Sequence, residues 1–338
     1  MKPAFVITVD TEGDNLWAAP DRITTENSKF IPRFQALCEK YGLKPTYLTD
    51  YHMAQCPVFS QHGRRWMREN KAEIGAHMHP WNTPPIKHVT DNDDRFGPYA
   101  AEYPPELIGE KFAFLNRLLE DIFEEKMISH RAGRWGFDGN YAGILIENKY
   151  LVDCSVTPGV SWQSSKGHPD GNGGPDFTHA PSVPYYVDLT DVCCPGNSQL
   201  LELPVTIMSP APAGFDAFRS KFAKRSLVRR ALNRLYPPET WIRPDGKNIR
   251  HILTVLRKTI KSNTCYAEFM LHSSELMPGG SPTFPTDDSI EKLYRDLEKL
   301  FAEASSFCRP ATLGEFAKEY ISKNRKTLSS NPEGFYEV

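Results

Sequence analysis

Three carboxylates follow a short apolar segment near the beginning of the chain. In the stretch FVITVDTEGDN, Asp10, Glu12 and Asp14 occupy every second position. Because side chains in a strand alternate between its two faces, these acids are expected to share one face. Like charges held together raise one another's pKa values unless a cation neutralises them. The spacing therefore predicts either a strand that has reached solvent or a group of acids that binds a cation.

Other strand-like segments also end in ionisable residues. The segment EIGAHMH ends in His77 and His79, whose spacing again places both side chains on one face. Later segments carry Arg131, Asp153 and His272 near their ends. The carboxyl ends of parallel strands converge on one rim, where the active sites of α/β folds lie. Two imidazoles and a carboxylate are typical ligands of a catalytic zinc ion or a related cation, so the cluster indicates a metallohydrolase.

Strand-like and helical segments alternate along most of the chain. Apolar runs at 45–50 and 73–79 are followed by segments with helical periodicity, and further strands are predicted in YLVDCSV, QLLELPVTI and CYAEFMLHSS. This alternation is typical of βαβ units, and hence of a barrel or a doubly wound sheet. Long irregular stretches at about 80–105 and 156–198 are expected to be loops that are either functional or disordered.

Composition narrows the class of protein. The chain has 338 residues, 24% of them charged and 40% hydrophobic, which is typical of a globular protein. Its formal net charge of -2 does not favour nucleic acid as a partner. We find no apolar run long enough to cross a membrane and no secretory signal pattern, so a cytoplasmic protein is expected.

Five of these segments resemble the motifs of the polysaccharide deacetylases, which are also called carbohydrate esterase family 4 or the NodB-homology group. In chain order the segments are TVDTEG, EIGAHMHPW, HRAGRWGF, KYLVDCSVTPG and EFMLHSSE, and the resemblance covers nearly the whole chain. The chain departs from the family pattern at two points. Asp10 and Glu12 are separated by Thr11, and His77 is followed by His79 instead of a histidine four positions later.

The resemblance implies a fold and a domain organisation. The expected α/β fold is a distorted (β/α) barrel of about seven parallel strands, with long loops at the C-terminal rim of the strands. A single domain would cover residues 1–323, with a basic helical insertion at about 212–248 and a loose tail at 324–338.

The resemblance also implies a metal site. One divalent ion would be bound by Glu12, His77 and His79, and His88 or Asp14 could replace one of these ligands. Zinc is the expected ion, with cobalt and nickel as alternatives.

The remaining site residues receive catalytic roles from the same resemblance. Asp10 would be the general base, kept ionised by Arg131, and His272 would protonate the leaving amine. Asp153 would orient His272 or Arg131. Trp17, Trp81, Trp135 and Trp162 lie near the motifs in sequence and would either stack on sugar rings or pack the loops.

The implied reaction is removal of an N-acetyl group from a sugar or glycan precursor, free or linked to a lipid or nucleotide, for a surface polysaccharide. Hydrolysis of another small amide is an alternative. A further alternative is a glycan-binding or scaffold protein without catalysis. The oligomeric state is not indicated by the sequence.

One basic segment stands apart from the even distribution of charge. Residues 218–235, FRSKFAKRSLVRRALNRL, contain seven Lys or Arg and no acid. Apolar residues recur there at helical spacing, at Phe218, Phe222, Leu227, Ala231 and Leu235. We expect either a helix lying on the barrel with a solvated basic side or an interfacial helix. The interfacial helix would contact anionic lipid at the inner membrane face or a substrate's pyrophosphate.

Overall fold

The computed structural model describes residues 2–18, 22–223, 225–262 and 264–330, without the side chains of Trp17 and of 325–330. Its strands are β1 (Ala4–Thr11), β2 (Pro45–Thr49), β3 (Glu73–Met78), β4 (Ser129–Ala132), β5 (Val152–Asp153), β6 (Tyr185–Tyr186), β7 (Leu201–Glu202), β8 (Ile207–Met208), β9 (Thr240–Trp241), β10 (Tyr266–His272) and β11 (Arg309–Ala311). Its α-helices are α1 (Ile31–Lys40), α2 (Tyr51–Ala54), α3 (Pro57–Arg68), α4 (Asp93–Phe96), α5 (Pro105–Phe123), α6 (Gly139–Glu147), α7 (Phe215–Ser220), α8 (Leu227–Leu235), α9 (Ile249–Lys261), α10 (Asp287–Phe307) and α11 (Leu313–Ser330).

The main sheet is curled and mostly parallel. In the described part of the chain it has nine strands, in the order β10-β1-β2-β3-β4-β5-β7-β6, with β11 also paired to β1. The path from β10 to β7 is parallel throughout, and β6 is antiparallel to β7. The seven strands of that path agree with the prediction of about seven parallel strands. The predicted distorted (β/α) barrel is therefore confirmed, in the form of a half-barrel.

The two faces of β1 have different functions. Phe5, Ile7 and Val9 point outward into a large core shared with the surrounding helices. Ala4 and Val6 point inward and belong to a second apolar cluster, which also includes residues of β7 and the first turns of α11. Each large apolar side chain buried in this way stabilises the fold by about 1.5–3 kcal/mol. The alternation of β1 therefore makes the lower half-barrel apolar and leaves its upper part for polar groups.

The polar layer begins above this apolar cluster. Thr8 and Asp10 continue the inward face of β1, and both side chains are buried. In the same layer, Glu268 of β10 and Arg131 of β4 are also fully buried. Charged groups are costly to bury unless they are paired and hydrogen-bonded, so their arrangement is the feature that needs explanation.

The basic segment forms two short helices instead of one continuous helix. α7 ends at Ser220 and α8 begins after Ser226, whose side chain accepts a hydrogen bond from the backbone N–H of Arg229 and caps the helix. Lys224 lies outside the described residues. The predicted apolar stripe is thus divided between two helices.

The C-terminal helix is longer than the predicted domain boundary implies. α11 continues to Ser330, whereas the loose tail was predicted to begin at residue 324. Residues 331–338 of that predicted tail lie outside the described residues. Among the described residues, no helix combines the length and the apolar character that crossing a bilayer requires.

Candidate metal and catalytic site

Strand register brings the predicted site residues together at one rim. Asp10 is paired with His272 in the ladder between β1 and β10, and His77 is paired with Arg131 between β3 and β4. Glu12 follows directly after β1, so it shares the inward direction of Asp10. All five side chains except His272 are buried, and His272 is partly exposed. The strand-end argument from the sequence therefore places these residues correctly in one cluster.

Glu12, His77 and His79 form a group that could hold a metal ion. Oε2 of Glu12 lies 2.7 Å from Nε2 of His79 and 3.4 Å from Nε2 of His77. One donor atom from each residue lies within 4.8 Å of the others. Two imidazole nitrogens and a carboxylate oxygen are donors that suit zinc and related divalent ions. The residue types and their spacing thus fit the implied ion.

Hydrogen bonding orients the His77 ring, and burial keeps the His79 ring neutral. Nδ1 of His77 donates to the backbone carbonyl of Arg131 at 2.9 Å, because a carbonyl can only accept. Its Nε2 therefore faces Glu12 with a free lone pair when the ring is neutral. A hydrogen bond made by the other ring nitrogen is the usual support of a metal-binding histidine. Burial and the neighbouring His77 lower the pKa of His79 to about 4 despite the attraction of Glu12. His79 is consequently neutral, the form that binds metal.

The two alternative ligands lie elsewhere. His88 is exposed, and its Nδ1 lies 3.7 Å from a carboxylate oxygen of Asp93. Asp14 accepts hydrogen bonds from the hydroxyl of Thr24 at 2.6 Å and from the backbone N–H of Asn27 at 3.2 Å. Neither residue belongs to the Glu12, His77, His79 group.

A glycine holds His79 in place. A Cβ atom added to Gly133 would lie 2.4 Å from Nδ1 of His79 and 2.6 Å from the carbonyl oxygen of Met78. Side chains do not tolerate such contacts, so this position after β4 accepts only a hydrogen. Gly133 therefore allows the His79 ring to lie directly against the backbone of the neighbouring strand.

Asp10 is bound to a completely buried arginine. Nη1 of Arg131 donates to Oδ1 of Asp10 at 2.6 Å, and Nη2 donates to Glu268 at 2.7 Å and to the Thr8 hydroxyl at 2.8 Å. Burial raises the pKa of Asp10, but Arg131, followed by His77 and His272, outweighs burial and lowers it. Asp10 is therefore ionised at neutral pH, as a general base must be.

His272 is held by a residue that the sequence argument missed. Its Nδ1 accepts a hydrogen bond from Nη2 of Arg243 at 3.0 Å, since a guanidinium can only donate. Arg243 also pairs with Glu275 at 3.0 Å. The neutral ring consequently carries its proton on Nε2, which lies 3.6 Å from Oδ2 of Asp10. No signal in the sequence could connect Arg243 with His272, because Arg243 lies in the basic insertion.

The Asp153 side chain contacts His130 instead of Arg131 or His272. It is paired with His130 in the ladder between β4 and β5, and its Oδ1 lies 2.6 Å from Nδ1 of that histidine. Because His130 and Arg131 are adjacent in a strand, their side chains point to opposite faces of the sheet. The orienting role expected for Asp153 thus has no direct contact to support it among the described residues.

The site opens into a cavity of about 320 Å³. Besides the polar cluster, the cavity is lined by Tyr99, Arg134, Trp135 and Trp162, the first and last of which come from the long loops predicted to be functional or disordered. The rings of Trp135 and Trp162 are stacked with centroids 6.2 Å apart. Trp81 is buried with its ring 4.6 Å from that of His79, and the Trp17 side chain lies outside the described residues.

Two residues of the cavity wall have strained backbones. Arg134 and Trp135 have φ angles of 54° and 62°, in the left-handed region that side chains with a Cβ rarely adopt. The Arg134 guanidinium donates to the backbone carbonyl of Gly97 and to the Ser165 hydroxyl, which stabilises this conformation. Strain of this kind is typical of functional sites, because the surrounding contacts must maintain it.

Similarity to known proteins is confined to the fold. The chain matches no protein-family model and has no significant match among curated proteins. A solved structure from Mycobacterium smegmatis, assigned as a polysaccharide deacetylase, is 13% identical, with 95% of this chain and 92% of that chain covered and a TM-score of 0.53. A second from Parabacteroides distasonis, assigned as a glycoside hydrolase/deacetylase, is 11% identical over 94% of this chain and 71% of that chain, with a TM-score of 0.62.

A third structure has a different activity. The 4-alpha-glucanotransferase from Thermococcus litoralis is 13% identical, with 95% of this chain and 40% of that chain covered and a TM-score of 0.52. The same fold therefore occurs in proteins with more than one reaction. These similarities confirm the predicted polysaccharide deacetylase fold, and the reaction has to be argued from the site.

Proposed function

We propose that this protein is a metal-dependent hydrolase of the polysaccharide deacetylase family that removes an N-acetyl group from a sugar. One observation carries the proposal. The carboxylate of Asp10, kept ionised by a buried arginine, shares a cavity with the Glu12, His77, His79 group and faces His272 across 3.6 Å. A base, an acid and a set of metal ligands in one cavity are the groups that amide hydrolysis requires.

Asp10 is the proposed general base. Its Oδ1 is occupied by Arg131, whereas Oδ2 faces His272 and the cavity. Oδ2 would accept a proton from water as the water oxygen attacks the acetyl carbonyl carbon. When bound at Glu12, His77 and His79, a divalent ion would supply Lewis-acid chemistry, which acidifies water and polarises a carbonyl oxygen.

His272 is the proposed general acid. To release a proton from Nε2 without becoming an anion, the ring must also be protonated at Nδ1. Oε2 of Glu275 lies 3.6 Å from Nδ1 and would accept that hydrogen, while Arg243 keeps its ion pair with Glu275. Nε2 would then protonate the amide nitrogen as its bond to the acetyl carbon breaks, which gives acetate and a free amino sugar.

The cavity supports a sugar as the substrate. Its volume of about 320 Å³ is at the small end of ligand sites, and its stacked tryptophans offer flat apolar faces that suit a sugar ring. The narrower proposal is a sugar linked to a lipid or nucleotide carrier on the way to a surface polysaccharide.

Acetate release from N-acetylated sugars tests the proposal. The zinc-loaded protein is compared with Asp10→Asn, which keeps the shape of the side chain but removes the base, and with Asp14→Asn, which changes a carboxylate outside the cavity. We expect release by the wild type and Asp14→Asn and a loss of about 10²- to 10⁴-fold in Asp10→Asn. Sugar binding without release by any zinc-loaded sample would favour the non-catalytic alternative.

A further inference from the structure

We infer that α7 and α8 form a docking surface for an anionic lipid bilayer. This docking surface comprises residues 215–235, apart from Lys224, and it is independent of the proposed reaction because it contains none of the cavity residues. The inference rests on three features: the direction of the apolar residues, the unpaired positive charges and the connection to the cavity.

The apolar face of α8 points to solvent instead of toward the barrel. Leu227, Val228 and Leu235 are 79%, 49% and 59% exposed, and no residue of this helix is buried. At 100° per residue these side chains and Ala231 fall on one face, which points to solvent. The opposite face, with Arg229 and Asn233, is the less exposed one. A helix that only covers a barrel would turn its leucines inward.

Contacts within the docking surface maintain this arrangement. Arg229 donates to the backbone carbonyl of Phe222 at 3.0 Å, and the buried Arg219 donates to the carbonyl of Tyr236 at 2.7 Å and pairs with Asp216. Phe218, in contrast, is exposed. These two arginines thus point inward and bind backbone carbonyls, while aromatic and aliphatic side chains face outward.

Positive charge surrounds the exposed apolar side chains. Arg230 and Arg234 lie along one edge of the leucine face, and Lys221 and Arg225 are also exposed. None of these four side chains forms an ion pair within the described residues, and residues 217–238 contain no acid. Basic residues beside inserted leucines are the pattern of helices that lie in the interface of an anionic membrane.

Other occupants fit less well. Nucleic acid would use the positive charges but would leave the three exposed aliphatic side chains in water. A second copy of this chain would bring like charges together, which costs free energy. An anionic bilayer satisfies both features, since its headgroups attract the arginines and its acyl region accepts the leucines.

The docking surface leads directly into the wall of the cavity. The chain continues from α8 to Trp241, whose ring lies 5.5 Å from that of Trp135, and then to Arg243, which contacts His272. Since only five residues separate α8 from Trp241, the docking surface and the cavity wall are joined by at most about 20 Å of extended chain.

Vesicle sedimentation tests the inference. Full-length protein is mixed with vesicles of phosphatidylglycerol and phosphatidylcholine, or of phosphatidylcholine alone, at low and high salt. We expect salt-sensitive binding to the anionic vesicles. Arg230→Gln with Arg234→Gln should weaken it by about 25-fold at low salt, at a factor of about five for each charge. Leu227→Ser with Leu235→Ser should weaken it by about tenfold for each leucine that inserts.

Matched controls distinguish binding through this docking surface from nonspecific adsorption to vesicles. Ile86→Ser with Val183→Ser removes two comparably exposed apolar side chains, and Arg68→Gln with Lys126→Gln removes two exposed charges elsewhere. Both pairs should bind as the wild type does. The inference would be overturned by equal binding to neutral vesicles or by no binding to either kind of vesicle. It would also be overturned by salt-sensitive binding to an oligonucleotide that the leucine substitutions leave unchanged. A dimer that the leucine variant dissociates, without vesicle binding, would overturn it as well.

Discussion

The guanidinium of Arg131 donates to Oδ1 of Asp10 at 2.6 Å, and no part of the arginine side chain reaches solvent. The arginine also binds Glu268, so a single buried cation faces two buried carboxylates. This pairing lets an ionised base persist beneath a small cavity, and removing the cation should disturb both the fold and the base.

We expect Arg131→Met to lower the free energy of unfolding by about 3–5 kcal/mol, because it leaves buried carboxylates without their partner. The same change should move the acidic limb of the pH–activity profile to higher pH, since Arg131 is the largest influence that lowers the pKa of Asp10. Urea unfolding and a pH profile of acetate release measure the two effects. An unchanged acidic limb in a folded variant would contradict the role assigned to Asp10.

Metal content should depend on the three predicted ligands. We expect Glu12→Ala and His77→Ala to lose the divalent ion that the purified wild type retains, because each removes a donor from the group. His88→Ala is the matched control, since it removes an exposed imidazole outside the group. Elemental analysis after dialysis provides the measurement, and ion loss in the control would return His88 to the ligand set.

A substitution beside the ligands tests how closely His79 is held. We expect Gly133→Ala to weaken metal affinity by about 10- to 100-fold, because the new methyl group would displace the His79 ring. Gly143→Ala in α6 is the control, since an added Cβ meets nothing within 4 Å there. Competition with a chelator measures the affinity. Equal affinities in the two variants would show that His79 tolerates displacement.

Arg243 should act as a positioning residue for His272. We expect Arg243→Met to lower kcat roughly tenfold with little change in KM, because Arg243 orients the neutral His272 ring and also holds Glu275, the acceptor proposed for the Nδ1 proton. Arg243→Lys retains a charge and should recover part of kcat. A rise in KM that accompanies the fall in kcat, or no recovery in Arg243→Lys, would instead indicate a structural role.

Glu275 should make stability depend on pH. Burial raises its pKa, but Arg243 and His272 outweigh burial and lower it from 4.5 to about 2. The resulting stabilisation, about 3 kcal/mol, is present above pH 4.5 and is lost as the pH falls toward 2. We expect the difference in unfolding free energy between wild type and Glu275→Gln to shrink over that range. Glu110→Gln, at an exposed site, should show no such trend.

The sequence predicted the residues at strand ends and missed those that depend on tertiary structure. Alternation along β1 and β3 placed Asp10, Glu12 and His77 on one face, and the structure confirms the strand arrangement behind that argument. Glu268 was detectable in principle, because it is a lone acid at an inward position of an apolar strand. Arg243 was not, since its position depends on how the insertion folds against β10.

Asp153 shows why short strands limit such reasoning. β5 has only two residues, so the sequence offers no alternation from which to read the direction of the Asp153 side chain. The same limit applies to α7 and α8. Helical spacing predicted one apolar stripe, which the structure divides between two helices, and could not say whether the apolar side chains pointed to the barrel or to solvent.

The apolar cluster beneath the polar layer has a consequence for turnover. Ala4, Val6, Tyr266 and Phe316 fill the half-barrel below Thr8, and α11 covers its lower end, so within the described residues the cavity is a cul-de-sac. Whatever enters by the rim must depart by the same route. The two products of hydrolysis would then have to leave one after the other. The product bound deeper in the cavity would compete with the next substrate molecule for the same space.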